Sequence, residues 1–91
     1  MVKIVRCSEA GSVESGDCFV QIEPGCEGLE LNINSTLMLQ FGEKIRESVL
    51  DVLLSCGVQD VKITVDDHGA LDWILRARVE TAIMRAREEP A

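Results

Sequence analysis

The sequence predicts a small α+β domain: a three-stranded antiparallel sheet in the order β-β-α-β-α, with two helices packed on one of its faces. Three observations predict it. Residues 18–23, 29–33 and 61–65 alternate apolar and polar side chains with the period of two that a half-buried strand requires. The stretch ending at Cys56 and residues 70–87 instead repeat apolar side chains every three to four residues, as an amphipathic helix does. No glycine or proline interrupts a strand segment.

In chain order, Val2 and Ile4 alternate with Lys3, so residues 1–10 form a packed arm or a short edge strand. Gly11-Ser12-Val13-Glu14-Ser15-Gly16-Asp17 is a polar turn. Cys18, Val20 and Ile22 then share one strand face. Pro24 to Gly28 turns the chain, and Leu29, Leu31 and Ile33 point inward from a second strand. Two short strands joined by a glycine-containing loop predict an antiparallel hairpin.

Asn34, Ser35 or Thr36 caps the helix that follows, and Gly57 stops it in the left-handed conformation. Met38, Phe41, Ile45, Val49, Val52, Leu53 and Cys56 form its apolar stripe, with Leu39, Leu50 and Leu54 beside it. Gly42 inside this helix costs about 1 kcal/mol relative to alanine, which a close packing contact or a kink would explain. Val61 to Val65 is the third strand. Asp66 to Gly69 turns into the last helix, whose stripe is Leu71, Leu75, Val79, Ala82, Ile83 and Ala86. Residues 88–91 are expected to fray. The simplest sheet puts the first strand between the second and third. The alternative lays the third strand parallel beside the second.

Ninety-one residues suit a single domain, residues 1–91. Sixteen acids against nine bases give a net charge of −7. That balance argues against partners that are nucleic acids or anionic membranes, and suits basic protein surfaces. Cys7, Cys18, Cys26 and Cys56 form no Cys-X-X-Cys pair, and one histidine adds no evident ligand, so no metal site is expected. With no signal-like apolar run at the start, the chain reads as cytoplasmic with reduced thiols.

Ser15 is the candidate site. An exposed hydroxyl beside Gly16 has room to anchor a group. It has no neighbouring histidine or lysine base, so it is not a catalytic nucleophile, and no catalytic residue is expected. Asp66, Asp67, His68 and Asp72 are read as turn and helix-start residues. Arg76 and Arg78 are solvated charges, although Arg78 lies near the apolar stripe and can pair with an acid across the fold. A contact from either arginine to phosphate is the alternative. A second strip on the last helix, Ala70, Trp73, Ala77 and Met84, is either covered by the N-terminal arm or a loop, or docks another subunit.

The run Gly11–Asp17, with Phe41-Gly42, Asp66-Asp67-His68-Gly69-Ala70-Leu71-Asp72 and Leu75-Arg76-Ala77-Arg78, resembles the acyl carrier protein (gamma subunit) of citrate lyase. The resemblance spans nearly the whole chain. Thr-Leu would be expected where Ser12-Val13 stands, often serine at Gly16, and a small residue at Trp73. What the resemblance implies is a non-catalytic carrier. Phosphoribosyl-dephospho-coenzyme A is joined covalently to Ser15, with Gly16 and Asp17 as the supporting loop. Its thiol shuttles acetyl and citryl thioesters between a transferase (alpha) and a lyase (beta) subunit, after attachment by a holo-carrier synthase. A recombinant chain would lack the group. The carrier of citramalate lyase, or a small α+β binding or regulatory module, are the other readings. A phosphopantetheine carrier is disfavoured, because no Asp-Ser-Leu opens a helix and the chain is not all-helical.

Overall fold

The computed structural model describes residues 2–25, 27–35 and 38–88, with residues 38–41 as backbone alone. The elements are β1 (Ser8–Gly11), β2 (Cys18–Pro24), β3 (Leu29–Ser35), α1 (Met38–Cys56), β4 (Val61–Asp67) and α2 (Asp72–Ala86). They form one sheet in the order β1-β2-β4-β3. β2 pairs antiparallel with both β1 and β4, and β3 pairs parallel with β4. The α+β class and the two helices are as expected; the sheet has four strands rather than three.

The expected hairpin is absent. The strands on either side of the 25–28 loop do not pair; both flank β4 instead. β4 takes the central position, with β2 and β3 hydrogen-bonded to its two edges and every second residue from Val61 to Asp67 buried on one face. The loop after β2 must then cross two strand spacings, about 10 Å. It is tied to the entrance of β4. The Val61 N–H donates to Gly28 O (3.2 Å), and the Gly28 N–H donates to Asp60 Oδ1 (2.8 Å). The parallel β3–β4 arrangement, with α1 as the crossover, is the alternative the sequence had left open.

Cys18, Val20 and Ile22 of β2, with Val61, Ile63 and Val65 of β4, are fully or almost fully buried on one sheet face. α2 covers β1 and β2, α1 packs on β3, and the helices touch each other. From α1 the core takes Ile45, Val49, Val52 and Leu53, and from α2 Leu75, Val79, Ala82, Ile83 and Ala86. At the edge, β3 buries less than its pattern predicts: Leu31 and Ile33 pack against the core, but Leu29 is exposed.

Helix α1 ends as the sequence predicts. Gly57 adopts φ 73°, the Gly57 N–H donates to Leu54 O and the Val58 N–H to Leu53 O. This crossed pair satisfies two terminal carbonyls and requires a left-handed residue at Gly57. Gly42 is buried and lines a shallow groove with Leu31 and Ile33 of β3, which supports the packing account of this glycine. The side chains of Met38, Leu39 and Phe41, the cap candidate Thr36, Cys26 and residues 89–91 of the expected frayed tail lie outside the described residues, whereas Glu88, the first residue of that tail, is held by its N–H donating to Lys3 O (2.8 Å).

The N-terminal arm bridges Val58 through Val2 and Arg87 through Ile4, closing the seam where both helices end. Strand formation falls later, at Ser8–Gly11. The arm therefore does not cover the second strip of α2. Trp73 is 68 % exposed and Met84 55 %, which overturns the covered reading. Leu71 is also exposed, because it is the residue before the helix rather than part of its inner stripe. Among the described residues no helix is long and apolar enough to cross a membrane.

Candidate functional site

The polar run between β1 and β2 closes as a four-residue turn over Glu14–Asp17, with the Asp17 N–H donating to Glu14 O (3.1 Å). Ser15 occupies its corner. Gly16 follows with φ 84°, the left-handed value that favours glycine at the third position of such a turn. A Cβ added there would meet nothing within 4 Å, so open space surrounds the corner.

Both flanks of the corner are fixed. The Gly16 N–H donates to His68 O (2.7 Å) and the His68 N–H to Asp17 O (2.9 Å). These two bonds staple the turn to the segment leaving β4. That segment is itself held by Asp67, which is buried. Its Oδ1 accepts from the Ala70 N–H (3.1 Å) and its Oδ2 from Ser35 Oγ (3.0 Å).

Asp17 is the keystone of the turn. Its Oδ1 accepts from the Cys18 N–H (2.8 Å), and its Oδ2 from Ser12 Oγ (2.8 Å). Arg78, on α2, donates Nε to Oδ1 and Nη2 to Oδ2, each at 3.1 Å. This is the two-pronged fork that guanidinium and carboxylate geometries match. The Arg78 fork, then the Cys18 N–H, hold the Asp17 carboxyl down at about 2, against the opposing effect of its burial. The sequence predicted that Arg78 pairs with an acid across the fold; the structure names Asp17.

The serines near this turn differ in what their hydroxyls do. Ser8 Oγ donates to Ala82 O (2.6 Å). Ser12 Oγ donates to Asp17 and also accepts from the Glu14 N–H (3.3 Å). Ser15 is exposed, and its hydroxyl makes no hydrogen bond among the described residues. No carboxylate, imidazole or amine contacts it there either. Among the described residues, then, no base is placed to activate this hydroxyl. A large polar group joined at Ser15 would extend into solvent without displacing protein, so the residues present fit a covalent prosthetic group.

The other sequence candidates act structurally. Arg76 donates to Asp72 Oδ2 (2.7 Å) and Asp51 Oδ2 (3.1 Å), and Ser48 Oγ donates to Asp72 Oδ1. This network joins α1 to α2 and draws Asp72 below the usual carboxylate range, Ser48 contributing most. His68 Nε2 lies 3.3 Å from Asp66 Oδ2 without the alignment of a hydrogen bond. The backbone staple through His68 had no sequence signal beyond the turn composition of residues 66–69.

A family model described as malonate decarboxylase delta subunit (MdcD), an acyl carrier protein (ACP) family, matches residues 6–86. The chain belongs to this family. As an MdcD-family acyl carrier it has the fold seen in a solved structure of a Pseudomonas malonate decarboxylase hetero-tetramer in complex with malonate. The identity there is 18 %, over 92 % of this chain and 91 % of that one, with a TM-score of 0.65. It also resembles part of a solved protein from Thermus thermophilus, ttk003000868, at 14 % identity and a TM-score of 0.55. That match covers 90 % of this chain and 16 % of the other. At such identities these two likenesses are likenesses of fold. The expected class, an acyl carrier, is met; the family is described by malonate decarboxylase rather than by citrate lyase.

Proposed function

We propose that the chain is the acyl carrier subunit of citrate lyase, and that Ser15 is its attachment site for phosphoribosyl-dephospho-coenzyme A through a phosphodiester. The observation that carries the attachment site is the contrast among hydroxyls: Ser8 and Ser12 are committed, Ser15 is not. The choice of citrate lyase rests on the motif resemblance around Ser15, Gly42, Asp66–Asp72 and Leu75–Arg78.

When attached, the group supplies a terminal thiol that holds an acyl group as a thioester. The chain's own residues anchor and present it. Gly16 and Asp17 keep the corner open, and Arg78 and His68 fix the turn to the sheet and α2. Tethering makes each meeting of thiol and active site intramolecular, with an effective concentration in the millimolar range for a short flexible arm. The net charge of −7 suits docking on basic surfaces of the transferase and lyase subunits, and on the holo-carrier synthase.

The second reading, the carrier of malonate decarboxylase, is favoured by the description of the matching family. One experiment tests both. The chain is co-expressed with the citrate lyase maturation enzymes, loading is confirmed by intact mass, and the loaded carrier is mixed with purified citrate lyase alpha and beta subunits. Citrate-dependent oxaloacetate release supports citrate lyase. Silence there, with pyruvate released from citramalate when the loaded carrier is given to citramalate lyase alpha and beta subunits, assigns the sister enzyme. Silence there, with malonate decarboxylation restored in carrier-free malonate decarboxylase subunits, supports the second reading.

A further inference from the structure

A groove of about 330 Å³ opens between the first turns of α2 and the middle of α1. Among the described residues its apolar lining is Ile45, Ala70, Leu71 and Leu75, and Lys44 and Gly69 line it too. Asp67 and Asp72 also reach it. Their carboxylates are already engaged, Asp67 by Ser35 and Ala70, Asp72 by Ser48 and Arg76. The Lys44 ammonium makes no hydrogen bond among the described residues, and its charge acts through space on the Asp72 carboxylate.

The groove adjoins the attachment turn. Gly69 follows His68, whose carbonyl accepts from the Gly16 N–H at 2.7 Å, and a Cβ added to Gly69 would lie 4.0 Å from the Gly16 nitrogen. Leu71 is 61 % exposed on the groove edge, an apolar side chain that the fold itself does not use.

We propose that this groove is a resting site for the thioester end of the arm carried by Ser15, with Lys44 facing any free carboxylate of the acyl group. This inference rests on the attachment of the arm to Ser15. The occupant follows from position and chemistry. A tether starting one residue from Gly16 delivers its own end at millimolar effective concentration, so even a millimolar contact is occupied much of the time. A thioester with a short acyl group is small and largely apolar, as are the walls. Carriers presenting a carboxyl-bearing acyl group gain an ammonium partner. A loaded arm that rests on its own domain is shielded from water between encounters with the partner subunits.

The test uses the loaded carrier bearing an acetyl thioester, with hydroxylamine as a small neutral nucleophile and acetyl-coenzyme A as the free reference. Occupancy of roughly one half to four fifths predicts thioester cleavage about two- to fivefold slower than in the reference. Leu71→Asp, with its fold verified by circular dichroism, is predicted to restore the free rate. Backbone amide shifts on loading should appear at Lys44, Ala70, Leu71 and Leu75 as well as beside Ser15. A succinyl thioester should gain further protection that Lys44→Gln removes; equal protection of the two thioesters removes Lys44 from the site. A loaded carrier cleaved at the free rate, with shifts confined to the Ser15 turn, overturns the resting site and leaves the attachment intact. A chain that gains no mass under maturation overturns both.

Discussion

Replacing Asp17 by asparagine keeps the shape of the side chain and removes its charge. In the wild type this carboxyl is held at about 2, against 3.8 ordinarily. At about 1.36 kcal/mol per tenfold change in proton affinity, the difference sets a ceiling of about 2.5 kcal/mol. Its partner Arg78 is 43 % exposed, and pairs open to water are worth a fraction of a kcal/mol to about 1 kcal/mol, so about 1 kcal/mol is expected. The sign is fixed by linkage. A carboxyl with a depressed folded-state pKa stabilises the fold above its ordinary pKa and loses that contribution as pH falls towards the folded value. Urea unfolding of wild type and Asp17→Asn should therefore differ by about 1 kcal/mol at pH 7, or about 4–8 °C in melting temperature for a domain of this size. The two curves should converge between about pH 4 and pH 2 as the wild-type carboxyl protonates. Arg78→Gln should add little once Asp17 is gone, because the two substitutions break the same fork. Equal stabilities at pH 7, or a gap unchanged at pH 2, would refute the keystone role of Asp17.

Other consequences follow from the same structure. Trp73→Ala should change stability by no more than about 0.5 kcal/mol in the isolated chain, since the ring is mostly in solvent; a loss of several kcal/mol in thermal unfolding would show that the ring is packed. Ile63→Ala, at a fully buried position of the central strand, should cost about 2–5 kcal/mol and leave little folded protein at 37 °C. Burial pushes the Cys18 thiol up to about 12, so native-state alkylation at pH 8 should label exposed Cys7 first and reach Cys18 only on unfolding. Labelling of Cys18 at the rate of Cys7 would contradict its burial.

Elements whose signal is local were legible in the sequence. Alternation at Cys18, Val20 and Ile22 and at Val61, Ile63 and Val65 marks the two strands that form the centre of the core, because each side chain reports its own face. Gly57 marks the end of α1 for the same reason. Pairing partners are not local. Period-two alternation in β4 says which face is buried but not that it separates β2 from β3, so adjacency in sequence pointed to a hairpin that does not form. The edge strand read from Val2 and Ile4 forms instead at Ser8–Gly11, because Ser8, Glu9 and Gly11 carry no β signal; only Ala10 of its four residues is buried, and backbone pairing with β2 makes it a strand.

The site divides the same way. The Ser15 corner and its glycine were visible as a turn, and Arg78 as a charge near an apolar stripe. The fork between Arg78 and Asp17 joins residues 61 apart, and the His68 staple uses backbone atoms that any residue could supply. Neither is written in residue type. The hydroxyl contrast between Ser8, Ser12 and Ser15 likewise needed coordinates, since all three are serines in polar sequence.

The central claim is that Ser15, and no neighbouring hydroxyl, carries the group. Cleavage after Glu14 and Glu27 (the Glu23–Pro24 bond resists proteolysis) releases a peptide, residues 15–27, in which Ser15 is the sole hydroxyl. After co-expression with the maturation enzymes, its mass should rise by the phosphoribosyl-dephospho-coenzyme A increment, and Ser15→Ala should abolish the gain in the whole chain. A gain on the segment holding Ser8 and Ser12, or one that survives Ser15→Ala, would contradict the account.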